Sequence, residues 1–265
     1  MNEGSQHQED LLRKVDTWVE SSGRALELRT ARTLKLAGAN VVQVSRRYEG
    51  TTTGQRREMD VYAAFTWRAA PGVDAQLRVS VECKSSNEKP WVAFRDEWKT
   101  LPSELFESSF VFKNGSYTGL TEPLAELWRG LPPFLPSYAM THIVTADLGA
   151  RKPSDGRNTA HDAVRQAMSG ASALRSEYLA SQSSHQKRAH LVVATVVTVA
   201  PLFACHLDAA GHVVTQPVDS LAVWEPRHDG RSTLVFVLSE NAFQDFASDL
   251  AHCRDVAAAS ASANV

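Results

Sequence analysis

The stretch VSVECKSS, residues 79–86, places an acid and a lysine on one face of a predicted strand. Val79, Val81 and Cys83 alternate with Glu82 and Lys84, which is the two-residue period of a strand. Two residues of strand rise separate Glu82 from Lys84 by roughly 6.5 Å. Such a pair belongs either to a solvated strand face or to a metal-dependent catalytic centre. The E-x-K spacing alone favours the solvated face, so further residues must decide.

A second acid, Asp60, opens the upstream strand predicted over MDVYAAFTW, residues 59–67, whose odd positions are apolar. A turn at Pro71-Gly72 would join this strand to the next one as a hairpin. Burying both apolar sets on one side allows two registers, because a one-residue slip sends one set to the wrong face. One register puts Asp60 opposite Lys84, and the other puts it opposite Glu82. Both registers gather the three side chains on one polar face.

Two carboxylates at one site repel each other unless a proton or a cation lies between them. Mg²⁺ accepts one or two carboxylates together with water and substrate phosphate. A lysine beside such an ion can orient the attacking water and stabilise the charge that develops on phosphorus. Glu27 is a further candidate, because it shares a helical stripe with Ala31 and Leu34 and a buried acid needs a partner. These residues point to metal-assisted hydrolysis of a phosphodiester.

Helices and strands alternate along the elements that must position these residues, which predicts an α/β layer fold. Residues 8–37 predict two helices with a break near Ser21-Ser22-Gly23 and a C-cap at Gly38. Residues 158–180 predict a helix capped by Asn158 or Thr159. Its small-residue face, suited to close packing on a sheet, consists of Ala160, Val164, Ala167, Ala171 and Leu174.

The apolar run at 190–200 predicts a central buried strand, and residues 240–253 predict a final helix. A loop is expected over 49–57. Further strands are predicted over 40–48, 140–148, 202–208, 212–218 and 232–239, with a hairpin turn at 209–211. We expect a single domain over 1–255, with core motifs at 24–86, an insertion at about 87–155, the second half of the sheet and helices at 156–253, and a flexible tail at 256–265.

Composition narrows the functional classes. The chain has 265 residues and a formal net charge of −2, so nucleic-acid binding would have to use local patches. Three well-separated cysteines without a CxxC pair argue against zinc ribbons and thioredoxin-type chemistry. The polar, acidic N-terminus does not resemble a secretory signal, and the longest apolar run contains a proline and is shorter than a membrane helix. We therefore expect a cytoplasmic protein that does not enter a membrane.

Glu27 on an early helix, Asp60 in REMDVYA and the VECK run at 81–84 together resemble the PD-(D/E)XK phosphodiesterase superfamily. The context is similar to bacterial members of the type IV restriction-enzyme and resolvase kind. The resemblance covers about residues 24–86 and extends to the helix near 158–180. One departure is Met59, which stands where the motif has a proline before the aspartate.

The resemblance implies a restriction-endonuclease-like fold, a mixed sheet flanked by helices, and a nuclease that uses Mg²⁺, with Mn²⁺ as a substitute. It makes Asp60, Glu82 and the carbonyl of Cys83 metal ligands and Lys84 the water-activating lysine. Glu27 becomes an auxiliary acid and metal ligand. It also suggests Gln166 as an auxiliary polar residue from the following helix.

DNA is the substrate that the resemblance favours, in bacterial defence against phage or in DNA repair. Cutting both strands needs two centres, so a homodimer or partner proteins of a defence system are expected. One rival is a module of the same fold that binds nucleic acid or assembles without cutting. Another is a nuclease that acts only after a partner or ligand triggers it.

For several other residues, a purely structural role explains the sequence at least as well as a functional one. The second E-x-K, at Glu97 and Lys99, is interpreted as a surface pair. Four arginines flank the loop before Asp60 and are as consistent with a solvated loop as with phosphate contacts: Arg46, Arg47, Arg56 and Arg57. Histidines 142, 161, 190 and 206 lack metal-binding spacing and are interpreted as surface or core residues. Trp91, Trp98 and Trp128 are interpreted as packing residues rather than base-stacking platforms.

Overall fold

The computed structural model describes residues 3–50, 54–70, 73–86, 89–95, 110–113, 139–148, 158–180, 187–226 and 232–263. The helices in these ranges are α1 Glu3–Ser21, α2 Arg24–Leu36, α3 Thr159–Ala180 and α4 Glu240–Ala263. The strands are β1 Val41–Glu49, β2 Arg56–Ala70, β3 Val73–Lys84, β4 Trp91–Arg95, β5 Phe110–Lys113, β6 Ala139–Thr145, β7 Lys187–Thr198, β8 Leu202–Leu207, β9 Val213–Val218, β10 Ser220–Pro226 and β11 Ser232–Ser239.

The described strands form one mixed sheet of 11 strands in the order β1-β2-β3-β7-β11-β10-β6-β4-β8-β9, with β5 paired to β7. β1, β2 and β3 pair antiparallel, and β3 then lies parallel to β7 over its whole length. The connection between these two parallel strands contains α3. The α/β class predicted from the sequence, a mixed central sheet flanked by helices, is confirmed.

Helices cover both faces of the sheet. On one face, α2 and α4 pack on the odd-numbered side chains of β2 and β3, including Val61, Phe65 and Val79. On the other face, α3 packs on the even-numbered Tyr62 and Ala64 and on both central strands. All five residues of the predicted small-residue face of α3 are buried: Ala160, Val164, Ala167, Ala171 and Leu174. Each face of the central strands therefore lies in a hydrophobic core, which explains why β7 is apolar on both sides.

The predicted helix boundaries near the candidate site are confirmed. α2 ends in a Schellman arrangement, because Ala39 N–H donates to Leu34 O, Gly38 N–H donates to Lys35 O, and Gly38 has φ 90°. Asn158 caps α3 by accepting the N–H of His161 at 3.2 Å. The hairpin of β8 and β9 is also present as predicted.

Three local predictions differ from the structure. The expected loop over 49–57 is shorter, because β2 already begins at Arg56, whose partner in β1 is Glu49. The tail predicted to be flexible from 256 continues α4 to Ala263, since Ala257 still packs in the interior. The strand β10 was not predicted, although Leu221, Ala222 and Val223 are buried in it. The strand is short and ends at Pro226, so its sequence shows no clear two-residue alternation.

The segment expected to be an insertion of small elements contributes to the sheet itself. β4 and β6 pair antiparallel, and β6 joins β10, so strands from 87–155 lie inside the sheet order. Glu97, Trp98, Lys99 and Trp128 lie in the parts of that segment that are outside the described residues. Among the described helices, none is long and apolar enough to cross a membrane.

Candidate active site

A cavity of about 470 Å³ opens at the carboxyl end of β3. Its wall includes the start of α2, the end of β3 and the junction between β6 and α3. All four residues proposed for catalysis line this cavity: Glu27, Asp60, Glu82 and Lys84. The structure therefore brings together three acids and a lysine that are spread over 58 positions of the sequence.

The register of the hairpin decides between the two alignments that the sequence left open. Val61 pairs with Val81 and Tyr62 with Ser80, so continuing the ladder by one residue sets Asp60 opposite Glu82. The solvated-face interpretation of this side of β3 is wrong, because α3 covers it. Ser80 and Glu82 are only 1% and 7% exposed. A carboxylate on that side is thus partly desolvated and needs compensating charge.

Asp60 is held by the backbone of the neighbouring strand. Its Oδ2 accepts the N–H of Cys83 at 2.7 Å. Burial nevertheless raises the pKa of Asp60, because desolvation outweighs that hydrogen bond and the attraction of Lys84. On the other side, Ser45 of β1 interrupts the ladder opposite Asp60 and has a positive φ of 56°. A left-handed serine is a strained conformation that the surrounding structure must enforce.

Glu82 and Lys84 form an ion pair inside the cavity. Lys84 Nζ donates to Glu82 Oε1 at 2.7 Å and to Gln166 Oε1 at 3.0 Å. Burial raises the pKa of Glu82 to about 7, and the charge of Asp60 adds to that rise while Lys84 opposes it. Gln166, which the resemblance suggested as an auxiliary residue, lies on α3, and its contact with the lysine was not predicted. The lysine is thereby fixed by one neighbour from its own strand and one from the covering helix.

Glu27 approaches the same cavity from α2. It is 8% exposed and lies on the inward stripe with Ala31 and Leu34, as predicted. Arg24 Nη1 donates to Glu27 Oε2 at 2.5 Å and to Ser45 Oγ at 2.7 Å. Burial raises the pKa of Glu27, the hydrogen bond from Arg24 lowers it, and the charge of Asp60 raises it again. The effect of Asp60 shows that Glu27 belongs to the same electrostatic cluster.

Arg24 and Ser45 were not predicted from the sequence as site residues. Arg24 stands three residues before Glu27, which is ion-pair spacing on a helix, so this signal was available. The backbone of Ser45 carries no comparable signal in the sequence. Gly23, at the start of α2, has φ 82°, and a Cβ there would lie 2.9 Å from Ser85 Oγ. That glycine lets α2 approach the end of β3 closely.

The β6–α3 side of the cavity is fixed by Asn158. Its Oδ1 accepts the backbone N–H of Thr145 at 3.0 Å, in addition to capping the helix. Lys89 also lines the cavity and pairs with Asp147 at 3.0 Å. These contacts connect the far wall of the cavity to the start of the helix that carries Gln166. Residues 87–155 show no clear periodicity in the sequence, so Lys89 and Thr145 were not predicted to line the cavity.

The four arginines suggested for nucleic-acid contact divide into two groups. Arg46 Nη2 donates to Glu177 Oε2 at 2.7 Å and its guanidinium lies 4.1 Å from the ring centroid of Tyr62, so it connects β1 to α3. Arg47, Arg56 and Arg57 are exposed on the β1–β2 hairpin. These three remain available to a ligand, whereas Arg46 has an evident structural role.

The Cys83 thiol and three histidines, His142, His161 and His190, are not part of the catalytic cluster. Cys83 Sγ points toward Thr30 Oγ1 at 3.7 Å, and burial raises the pKa of its thiol, so the thiol is unreactive. His190 is buried and stacks on Tyr178 with ring centroids 3.6 Å apart. The rings of His142 and His161 lie 6.2 Å apart. Trp91 is a buried packing residue, as predicted.

The donor chemistry of the cavity suits a divalent cation with oxygen ligands. No group of three His, Cys, Asp or Glu side chains in the described ranges converges closely enough to hold a metal ion. Instead, Asp60, Glu82 and Glu27 each contact a donor of the protein. Mg²⁺ requires only one or two carboxylates beside water and phosphate, so the Asp60–Glu82 pair fits it. The role of the Cys83 carbonyl stays a prediction.

No family model, curated protein or solved structure matches the chain. The interpretation of the site therefore depends on the residues and their geometry.

Proposed function

We propose that the chain is a Mg²⁺-dependent nuclease of the PD-(D/E)XK type that hydrolyses phosphodiester bonds in DNA. The observation that supports this most strongly is the convergence of Asp60, Glu82 and Lys84 on one cavity, with Glu27 beside them. A structural ion pair would need one acid for one lysine. Three acids in one partly desolvated cavity represent an excess of negative charge that favours binding of a cation.

Asp60 and Glu82 are the residues that would hold the ion, and Glu27 would complete the acidic wall. A bound Mg²⁺ would supply Lewis-acid polarisation of a phosphoryl oxygen and charge neutralisation. Asp60 is suited to this role because the Cys83 amide fixes its carboxylate, so little ordering is needed on binding. Asp60 and Glu82 both line the cavity.

Lys84 is the residue that would act on the reacting phosphate and water. In the hydrolysis, a water oxygen forms a bond to phosphorus while the bond from phosphorus to one ester oxygen breaks. The attacking water gives one proton to solvent water, and the departing alkoxide takes up one proton from solvent water. The ammonium of Lys84 stabilises the negative charge that develops on the phosphoryl oxygens. Gln166 positions it by accepting one of its three N–H groups.

A module that binds nucleic acid without cutting is the second candidate. It is favoured by the observation that Glu82 and Glu27 already form ion pairs with Lys84 and Arg24 within the protein. The exposed Arg47, Arg56 and Arg57 would then be the binding residues. A nuclease that needs a trigger fits the same observation, because a ligand or partner would have to redirect Lys84. Restriction, defence or repair follows only from the family resemblance.

The proposal is tested by cleavage assays on supercoiled, linear and single-stranded DNA and on RNA, with Mg²⁺, Mn²⁺ or Ca²⁺. Lys84→Ala should lower kcat/KM by about 100-fold or more, since one stabiliser of transition-state charge is typically worth that much. Asp60→Asn should abolish the Mg²⁺ dependence together with the activity. Arg68→Ala, which removes an exposed cation at the far end of β2, should cleave like wild type.

Cleavage that persists undiminished in both Lys84→Ala and Asp60→Asn would refute the nuclease proposal. Binding without cleavage in any of the three metals would favour the binding module instead. In that case, replacing Arg47, Arg56 and Arg57 by Ala should weaken binding and reduce its dependence on salt. Cleavage that appears only after addition of cell extract would favour a triggered nuclease.

A further inference from the structure

The first helix is exposed along its whole described length. Between residues 6 and 21 no side chain of α1 is buried, and only Asp10 and Val19 are half-buried. Its large apolar side chains Leu11, Val15 and Trp18 follow helical spacing and are 55%, 47% and 64% exposed. Helices in proteins derive most of their stability from packing an apolar face. This face therefore needs an occupant.

The outward face of α2 offers a matching surface. Leu28, Arg32 and Leu36 stand at successive four-residue intervals, so they share one side of the helix, opposite the buried Glu27 and Leu34. Leu28 and Leu36 are 58% and 76% exposed. A groove of about 510 Å³ between α2 and α4 has Arg32, Leu36 and Phe243 among its lining residues. Such a groove can accept a bulky side chain.

The two helices carry opposite net charge. α1 contains five acidic and two basic residues, a formal charge of −3, whereas α2 contains four basic residues and one acid, a formal charge of +3. On α1, Glu9 and Asp16 stand three residues before and four residues after the exposed Leu12, so they flank the apolar stripe on its Leu12 side. On α2, Arg32 lies between Leu28 and Leu36, and Lys35 lies beside them. Among the described residues, none of these four has an ion-pair partner. Opposite charges at the border favour this pairing over pairing of α1 with itself.

We propose that two copies of the chain associate by reciprocal packing of each α1 on the α2 of the other copy. The arrangement is isologous, so every contact occurs twice and the interface closes on itself. The Trp18 side chain of one copy enters the groove beside Leu36 of the other. The interface is independent of the nuclease chemistry, but it adjoins the site, since Ser22 and Gly23 between the two helices line the catalytic cavity.

The test is the oligomeric state of the full chain, measured by sedimentation equilibrium over a dilution series without metal or nucleic acid. Wild type should be a dimer. Trp18→Lys and Leu36→Lys should each raise the dissociation constant at least tenfold. Thr17→Lys is the matched control, because it adds the same charge to the polar side of α1 and should leave the dimer intact. Circular dichroism shows whether each variant remains folded.

A monomeric wild type would overturn the proposal, whether or not the protein cleaves DNA. Loss of the dimer in Trp18→Lys but not in Leu36→Lys would also overturn it, because α1 would then pair with something other than α2. Equal weakening by Thr17→Lys would show that the effect is not specific to the apolar face. Should Trp18→Lys fail to fold, Asp16→Lys and Arg32→Glu replace it. Each charge reversal should weaken the dimer, and the double variant should restore it.

Discussion

At the scale of single residues, the cavity is defined by acids that the protein only partly neutralises. Burial raises the pKa of Glu82, Asp60 and Glu27, and in Glu82 and Glu27 the neighbouring Asp60 raises it further. Lys84 and Arg24 offset part of this effect. The remaining negative charge makes the cavity a site where the metal-free protein retains protons at higher pH than usual.

This protonation predicts how stability depends on pH. The folded protein binds the proton of Glu82 with a pKa of about 7, against an ordinary 4.5, so it holds that proton more tightly than the unfolded chain does. The free energy of unfolding should therefore be highest below the ordinary pKa and fall as pH rises through about 7. The fall should be on the order of 1–3 kcal/mol between pH 5 and 8.

Urea unfolding of the metal-free protein in the presence of a chelator measures this trend. Glu82→Gln removes the titrating group, so its stability should change much less over the same pH interval. Glu49→Gln, at an exposed position on β1, should follow wild type. Identical pH profiles for wild type and Glu82→Gln would show that another group controls the dependence.

At the scale of elements, the close approach of α3 to β3 positions the lysine. Gly170 allows it, because a Cβ at that position would lie 2.3 Å from Ser80 Oγ and 3.1 Å from Met59 Cε. Ala167, one turn earlier, receives a long hydrogen bond of 3.5 Å from the Ser80 hydroxyl. This contact also positions Gln166, because Gln166 lies beside Ala167 on the same helix and accepts a hydrogen bond from Lys84.

Gly170→Ala should destabilise the protein by about 1–3 kcal/mol, although alanine is the better helix former, because the added methyl overpacks the contact. It should also reduce cleavage if displacing α3 separates Gln166 from Lys84. Ser80→Ala removes the nearer atom, so the double variant should lose less stability than Gly170→Ala alone. Ser176→Ala, at an exposed position of the same helix, controls for a change within the helix. A fully additive double variant would contradict the contact.

At the scale of the whole molecule, the cavity joins α2, β2, β3 and the β6–α3 junction. A cation that binds there binds only the folded arrangement, because the unfolded chain separates these ligands widely in space. Mg²⁺ at ten times its dissociation constant should therefore raise the free energy of unfolding by about 1.4 kcal/mol. Thermal unfolding at several Mg²⁺ concentrations measures the effect.

Asp60→Asn should remove most of this stabilisation, because it takes away the ligand with the fixed orientation. Glu20→Gln, an exposed acid whose partner is Arg29 on α2, is the matched control and should keep it. Stabilisation that survives Asp60→Asn would place the cation elsewhere, without bearing on the oligomeric state.

The sequence by itself determined the hairpin and the acids on it. Strict alternation restricted the registers of β2 and β3 to two, since any one-residue slip would bury charged side chains. Helical spacing placed Glu27 beside Ala31 and Leu34, and capping residues marked where α2 and α3 end or begin. These signals are local, so they can be recognised without knowing the fold.

Only the tertiary structure decided that the polar face is covered. Nothing near Glu82 in the sequence shows that α3, more than 70 positions later, packs over it and brings Gln166 to Lys84. The strain at Ser45, the end-on approach of α2 at Gly23 and the cavity wall from β6 are likewise contacts between distant segments. Desolvation depends on how many atoms surround a group, and that number is fixed only when the chain has folded. The electrostatic character of the site is for this reason a property of the fold rather than of the motif.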